Sequence, residues 1–494
     1  MENGQELPKG WTSVQLEDVA ELSLGKMLDK TKNTEGNPLP YLRNINVRWA
    51  GFQLNDLLEM PFRDEELARY SLRCGDVLIC EGGEPGRAAV WPGADRPIMF
   101  QKAIHRARPT AALYPQWLVY HLRNDANAGR LEHHFTGTTI KHLTGTALSR
   151  YPIILPPIAE QRRITSKLES LLTRSRRAKE ALDAIPALLE RFRQSVLAAA
   201  FRGDLTADWR AQHPDVEPLS NVLARLPTRA PAKRRSPADA TPVEGRFAIS
   251  VGPSTRPAPE GWTWVQLTNV ARLETGHTPS RSHPEYWDGD IPWIGIKDAR
   301  ANHGGVIQQT EQTVTQAGLE NSAARLLPTD TVCLSRTASV GYVFVLGRSM
   351  ATSQDFVCWV CSEAVVPKFL MYLLMAEGED IRRFGKGSTH TTIYFPEVMA
   401  FHVCLPSVSE QQQIVQQIEA RFAAIERLRE AWQLAQQSAQ KLDEAVLAKA
   451  FRGELVPQDP NDEPASVLLE RIRAEREAAA GSAPKRPRGR RPAA

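Results

Sequence analysis

The chain has 494 residues, too many for one ordinary hydrophobic core, so several domains are expected. Its composition, 42% hydrophobic and 24% charged, is that of a globular protein without a membrane-spanning apolar run, and MENGQELPKGW at the start lacks an export-signal pattern, so a cytoplasmic protein is expected. A net charge of +4 permits nucleic-acid binding without requiring it, and six cysteines in this length do not make a disulfide framework.

In chain order, GWTSVQLEDVAEL (10–22) comes first, followed by short β-rich runs broken by glycine turns, such as RCGDVLICEGGEPGRAAVW. This pattern predicts a strand-rich α+β domain over residues 1–153. Residues 154–205 read as a long helix that begins at Pro157, where a first-turn proline is tolerated. Leu168, Ser175, Leu182, Leu189 and Val196 fall seven apart, with Ala178, Ile185 and Phe192 interleaved, which is a coiled-coil heptad. Pro186 lies inside that helix and predicts a kink at a cost of about 3 kcal/mol. The helix ends in AFRGDL (200–205), with Gly203 placed for a left-handed cap. Residues 206–257, around RLPTRAPAKRRSPADATP, read as a Pro/Ala/Arg-rich linker, partly disordered and mostly solvated.

The chain then repeats itself. GWTWVQLTNVARL (261–273) matches the opening stretch at nine of thirteen positions, LPPIAEQRRI (155–164) returns as LPSVSEQQQI (405–414), and AFRGDL returns as AFRGEL (450–455). A second strand-rich domain is therefore predicted over 258–403 and a second long helix over 404–455. Ser407 and Glu410 form a capping-box pair at its start, and Gly453 stands at its end. Its seam is Ile418, Ile425, Trp432, Ala439 and Val446, interleaved with Leu428, Ala435 and Leu442. A short helix (456–480) and a basic disordered tail (481–494) close the chain.

Two equal apolar seams in one chain imply helices that pack on each other. The predicted architecture is α+β, two strand-rich domains separated by an antiparallel coiled coil with pseudo-two-fold symmetry, about 60 Å long for about 41 residues. Its seam is Leu168, Leu182, Ile185, Leu189 and Val196 against Ile418, Ile425, Leu428, Trp432, Leu442 and Val446. A parallel pair would require the linker to cross the whole rod. Residues 160–200 hold nine Lys or Arg against five Asp or Glu, a net of +4, whereas 410–450 hold five against six, a net of −1. A solvated face is the preferred reading of that difference, ahead of a DNA-facing one.

Catalytic signatures are lacking. GKGST (385–389) has neither the upstream glycine nor the spacing of a phosphate loop, and no glycine fingerprint for a dinucleotide or methyl donor occurs. His133 and His134 are adjacent and without a spaced carboxylate, and Cys358 and Cys361 in FVCWVC face opposite sides of a strand with no second pair to complete a zinc site. LPPI only superficially resembles an amino-methyltransferase motif. No metal site and no enzymatic activity are predicted; the chain reads as a recognition or scaffold protein.

GHTPSRSHPEYWDGDIPWIGIKD (276–298), LRCGDVLICEGGEPGRAAV (72–90), the LPPIAEQRRI and LPSVSEQQQI pair and AFRGELVPQDPNDEPASVLLERIRAER (450–476), in this tandem order, carry a resemblance. The layout resembles the specificity subunit of type I restriction–modification systems, over nearly the whole chain. The resemblance implies that each globular unit is a target-recognition domain and each long helix a spacer. It also implies double-stranded DNA, two methyltransferase subunits and restriction subunits as partners, with S-adenosylmethionine and ATP bound by those partners and no cofactor here.

On that reading, polar residues in turn-rich stretches are the candidates for DNA contact, since side-chain donors and acceptors read base edges and cations hold phosphates. They are Arg43, Asn44, Arg87, Gln101, Lys102, Thr138, Thr139 and Lys141 in the first domain. In the second they are Thr278, Ser280, Arg281, Lys297, Arg336, Ser339, Gln354, Lys386, Ser388 and Thr389. The two domains differ almost everywhere outside their edges, so an asymmetric bipartite target is expected. The rival reading is a coiled-coil adaptor whose ends bind proteins, without DNA specificity.

Overall fold

A computed structural model describes residues 6–27, 35–227, 240–337, 339–387 and 391–481, with residues 479–481 described by backbone only. The heart of the predicted linker, nearly all of the basic tail, and Ser388 and Thr389 of the GKGST stretch lie outside the described residues. Two compact units emerge, one of residues 1–183 with 433–494 and the other of residues 184–432. Each therefore joins a globular body to pieces of both long helices. Among the described residues no helix is long and apolar enough to cross a membrane.

In the first unit the central sheet runs in the order Ala20–Leu24, Ile104–Pro109, Val77–Cys80, Ala88–Val90. A second sheet places Asn37–Leu42 between Leu58–Phe62 and Met99–Phe100, and Thr12–Gln15 pairs antiparallel with Pro152–Leu155. The helix Pro115–Asn127 packs its Trp117, Leu118 and Leu122 into a core shared with Leu168 and Leu172 of one long helix and Leu447 and Ala450 of the other.

In the second unit a five-stranded sheet runs Ala271–Thr275, Phe356–Cys361, Val332–Ser335, Val343–Leu346, Val306–Ile307. FVCWVC is one of its strands, and Cys358 lies opposite Cys333 on the neighbouring one. The helix Pro367–Ala376 is the counterpart of Pro115–Asn127, and its core takes in Val196, Leu197, Ala200 and Phe201 together with Ile414, Val415 and Ile418.

The repeated motifs are docking devices, and each acts within its own unit. Gln161 is fully buried; its amide donates to the carbonyls of Ala112 and Pro156 at 2.9 Å each and accepts the Tyr114 N–H at 2.8 Å. Gln411 does the same in the other unit, donating to Ala364 (2.9 Å) and Pro406 (3.1 Å) and accepting from Val366 (2.8 Å). Each glutamine thus fastens a helix start to its globular body. Beside them, Glu160 accepts the Trp11 indole N–H at 3.0 Å, and Glu410 accepts from Trp262, Thr206 and Arg210. Only half of the capping box at 407–410 forms: Ser407 Oγ accepts the Glu410 N–H, while the Glu410 carboxylate is drawn away to those partners.

AFRGDL and AFRGEL end their helices in matching Schellman turns. Gly203 (φ 80°) donates to Ala200 while Asp204 donates to Ala199; Gly453 (φ 74°) donates to Ala450 while Glu454 donates to Lys449. Each glycine lies where a Cβ would press on a proline, Pro259 and Pro8 respectively, just before the GWT stretch. Phe201 rests edge-on against Phe369, and Phe451 lies against Trp117.

Inside each unit the helix segments run antiparallel. In the first, Lys179 pairs with Asp443 at 2.6 Å and Asp183 accepts from Gln436, partner numbers falling as these rise. In the second, the start of the late helix shares a core with the end of the early one, and Arg193 lies over Phe422. Pro186 does more than kink the first helix: it separates Ile158–Asp183 from Ile185–Phe201, whereas Val408–Phe451 is unbroken.

The predicted linker is largely built structure on both sides of its centre. Leu219–Arg225 forms a helix that buries Leu219 and Val222, and Ala465–Gly481 plays that part in the other unit through Ala465, Leu469 and Ile472. The signal was present in DVEPLSNVL against NDEPASVLL. Residues 243–251 form a hairpin that covers the edge of Phe401–Leu405, clamped by Glu377, which accepts the Arg246 and Phe247 N–H groups. The first unit closes the equivalent edge differently. Pro152 brings no N–H, and Ile154 donates to His121 Nε2 (3.1 Å) while accepting from Trp117 (2.8 Å).

These contacts yield two predictions. Gln161→Leu or Gln411→Leu orphans buried backbone groups and should destabilise the protein by about 2–4 kcal/mol in denaturant unfolding, whereas Gln433→Leu, at an exposed site, should change it little. Burial holds His121 down at about 4 and also lowers His105, His134 and His303. The unfolded chain therefore binds protons below about pH 6.5 that the folded chain refuses, so stability is lost as pH falls from about 6.5 toward 4. Unfolding curves across that range should show the loss, reduced in His121→Asn, which starts less stable at pH 7.

Candidate nucleic-acid interface

In the first unit, strands feed the candidate residues to one edge. Arg43 and Asn44 follow Asn37–Leu42, the 81–87 turn follows Val77–Cys80, and Gln101 and Lys102 follow Met99–Phe100. Arg87 donates to the Asn44 carbonyl at 2.9 Å, and the Asn44 amide donates to the Gly82 carbonyl at 3.3 Å. Gln101 donates its backbone N–H to Leu42 and pairs as an isolated bridge with Lys26. The 136–142 turn closes on itself through Thr136 and His142, and His142 borders Gly82. Thr138, Thr139 and Lys141 are exposed on that turn. Arg43, Asn44, Arg87 and the base of the 136–142 turn are thus neighbours; Gln101 and Lys102 adjoin them through Leu42.

The second unit gathers its candidates in the same way. Thr278 donates to Gln354 at 2.6 Å, His277 donates its N–H to Thr352, and Ser353 donates its N–H to Ile294. Arg336 donates its N–H to Asp355, lies over Phe395, and accepts from Ile393, next to the Lys386–Thr392 bridge. Ser339 belongs to the same turn as Arg336, its carbonyl accepting from Ser335. Ser280 bonds Ser282, and Arg281 extends the group towards Gln312. Lys297, exposed and paired with Glu311, stands at the margin.

A feature invisible in the sequence is how many of these cations are already neutralised. Arg43 pairs with Asp56 (2.6 Å), Arg87 with Glu84 (2.7 Å), Lys141 with Glu132 (2.6 Å), Lys297 with Glu311 (3.2 Å) and Lys386 with the buried Glu397 (2.8 Å). Glu132 is held below the usual carboxylate range by its hydrogen bond from Lys141 and that cation's charge; Lys386 is raised by Glu397. Of these, Lys141–Glu132 and Lys297–Glu311 are exposed on both sides. Such pairs contribute little to folding, so a phosphate can displace their carboxylates at small cost, whereas freeing Lys386 would leave a buried carboxylate unpaired. Only the Glu84–Arg87 pair, three apart in EPGR, was readable beforehand.

The seam residues divide. Leu168, Ile418 and Ile425 are buried to 0%, 0% and 1% exposure, and Leu189 and Val196 are also buried. Leu182, Ile185, Trp432 and Val446 are half-buried. Leu428 and Leu442 depart from the expectation, at 54% and 55% exposure. The reason is that the late helix is covered near its two ends by globular cores, through Ile414, Val415 and Ile418 and through Leu447 and Ala450, so its buried face follows those cores and not one continuous heptad.

Comparison with known proteins places this arrangement. The family model described as a type I restriction modification DNA specificity domain matches twice, at residues 8–186 and 259–433. Similar proteins include the EcoKI specificity subunit of Escherichia coli K12, 23% identical over 96% of this chain and 97% of its own, and the EcoBI specificity subunit of Escherichia coli, 23% identical over 95% and 93%. The crystal structure of the HsdS subunit from Thermoanaerobacter tengcongensis shares the fold, with a TM-score of 0.60 at 19% identity over 92% of this chain and 100% of that one. A chain from a structure of a type I restriction–modification system aligns with a TM-score of 0.63 at 19% identity over 91% and 100%. With two matched domains covering most of its length, the chain belongs to the type I restriction–modification DNA specificity family.

Proposed function

We propose that the chain is a non-catalytic DNA-reading subunit that recognises an asymmetric bipartite target, one half-site per domain, while the paired helices hold the two readings a set distance apart. The observation that carries this reading is the duplicated set of locks: Gln161 and Gln411 at the helix starts, Gly203 and Gly453 at the ends. Equivalent residues thereby hold two bodies whose candidate reading turns are dissimilar, GTTIK in one and GKGST in the other. Rigid mounting with different reading surfaces is what a split, asymmetric target demands.

On this proposal methyltransferase and restriction subunits supply the chemistry, bringing S-adenosylmethionine and ATP, and the complex works in the cytoplasm. The exposed apolar residues on the helices fit the methyltransferase partners: Leu434 and Leu442 in the first unit, Leu188, Phe192 and Leu428 in the second, each at 48% exposure or more.

Inserting one matched heptad into both long helices adds about 10 Å, or about three base pairs at the duplex rise. Methylation profiling should then show a wider gap between unchanged half-sites. Altered half-sites with an unchanged gap would overturn the proposal. Binding to duplex DNA should also weaken with salt, as phosphates take up exposed cations such as Lys141; salt-independent association would point to a protein-binding adaptor instead.

A further inference from the structure

Arg281 differs from the other paired cations of the candidate interface. Arg43, Arg87, Lys141, Lys297 and Lys386 each rest on a carboxylate, whereas the partners of Arg281 among the described residues are two tryptophans and an amide. Its guanidinium lies 3.5 Å over the ring centre of Trp287 and 5.5 Å from that of Trp293, and donates to Gln312 Oε1 at 2.8 Å.

The platform under it is built by the backbone. Trp287 meets Trp293 edge to face, at 5.1 Å and 83°, and its indole N–H donates to the Ser280 carbonyl, immediately before Arg281. Trp293 is buried and donates to the His277 carbonyl. The strand Trp287–Ile294 breaks register between Trp287 and Ile291, where Asp288 takes the left-handed conformation at φ 58° and a Cβ on Gly289 would lie 2.6 Å from the Val314 carbonyl oxygen. A non-glycine residue with positive φ costs energy, and here that backbone sets the ring beneath the arginine.

Stacking fixes the plane of the guanidinium, and Gln312 takes one of its N–H donors. The rest remain available at an exposed position, in the planar fork that suits two adjacent acceptors. A guanine edge (O6 and N7) and a phosphate both present such a pair. The surroundings favour the base: residues 276–298 carry Arg281 and Lys297 against Glu285, Asp288, Asp290 and Asp298, a net charge of −2 that repels phosphate.

We propose that Arg281, held in place by Trp287 and Gln312, reads a guanine in the half-site of the second domain, with Trp287 and Gln312 as positioning residues. This rests on the bipartite reading above.

The test is methylation profiling of the host genome with the wild-type chain and with Arg281→Ala, Gln312→Ala and Trp287→Leu. In Arg281→Ala one guanine position of one half-site should become degenerate, with discrimination falling on the order of 10- to 100-fold, while the other half-site and the gap stay fixed. Gln312→Ala and Trp287→Leu should relax that same position by less. Gln312→Ala keeps the stacked platform, so it guards against a folding effect of the tryptophan change. A motif unaltered by Arg281→Ala, or an even loss of methylation at every site in a variant that melts like wild type, overturns the inference, the latter marking a phosphate contact. A wild-type chain with no two-part motif defeats the underlying reading and this inference with it; a two-part motif indifferent to Arg281 defeats this inference alone.

Discussion

A buried glutamine at the head of each long helix is the constraint on which the rest of the structure depends. Gln161 and Gln411 satisfy the same backbone groups in their respective units: two carbonyls, and the N–H just before a proline-led helix. Buried polar groups of this sort rigidify when every member is satisfied and are costly when one is missing, so they fix orientation as well as attachment. Around each glutamine the same set recurs: a carboxylate that takes a tryptophan indole, a Schellman turn against a proline, and an aromatic residue from the other helix's end. The helix start and helix end that meet on each body come from different repeats, which makes the helices of each unit antiparallel.

The candidate interface is less basic than its lysines and arginines suggest, because Asp56, Glu84, Glu132, Glu311 and Glu397 occupy five of them. In the proposed function this has a use. Cations already screened attract any duplex weakly, and discrimination then falls to residues that do not depend on net charge, of which Arg281 on its tryptophan is the best-defined example. A uniformly charged groove would hold all sequences alike.

Much of the architecture was legible because the signals are local or periodic. The 250-residue repeat, the glycine helix stops, the strand in FVCWVC and the break at Pro186 each follow from a few neighbouring residues. What escaped was long-range. Nothing near Glu410 announces Trp262 or Arg210, so half of its capping box was misjudged. Nothing near Leu428 or Leu442 shows that globular cores redirect the buried face of the helix. The hairpin at 243–251 was hidden by the proline-rich stretch before it, and its role exists only beside Phe401–Leu405. At the candidate site, turn composition identified neighbouring residues, but the partner of each cation and the ring under Arg281 are set by tertiary packing alone.

The central claim, two dissimilar readings held at one distance, is tested most directly by sequencing base modifications across the host genome with the gene intact and deleted. The account predicts a single modified motif of two unlike parts separated by a constant number of unspecified base pairs, present with the gene and absent without it. A continuous motif, a gap that varies from site to site, or modification that survives the deletion would contradict it.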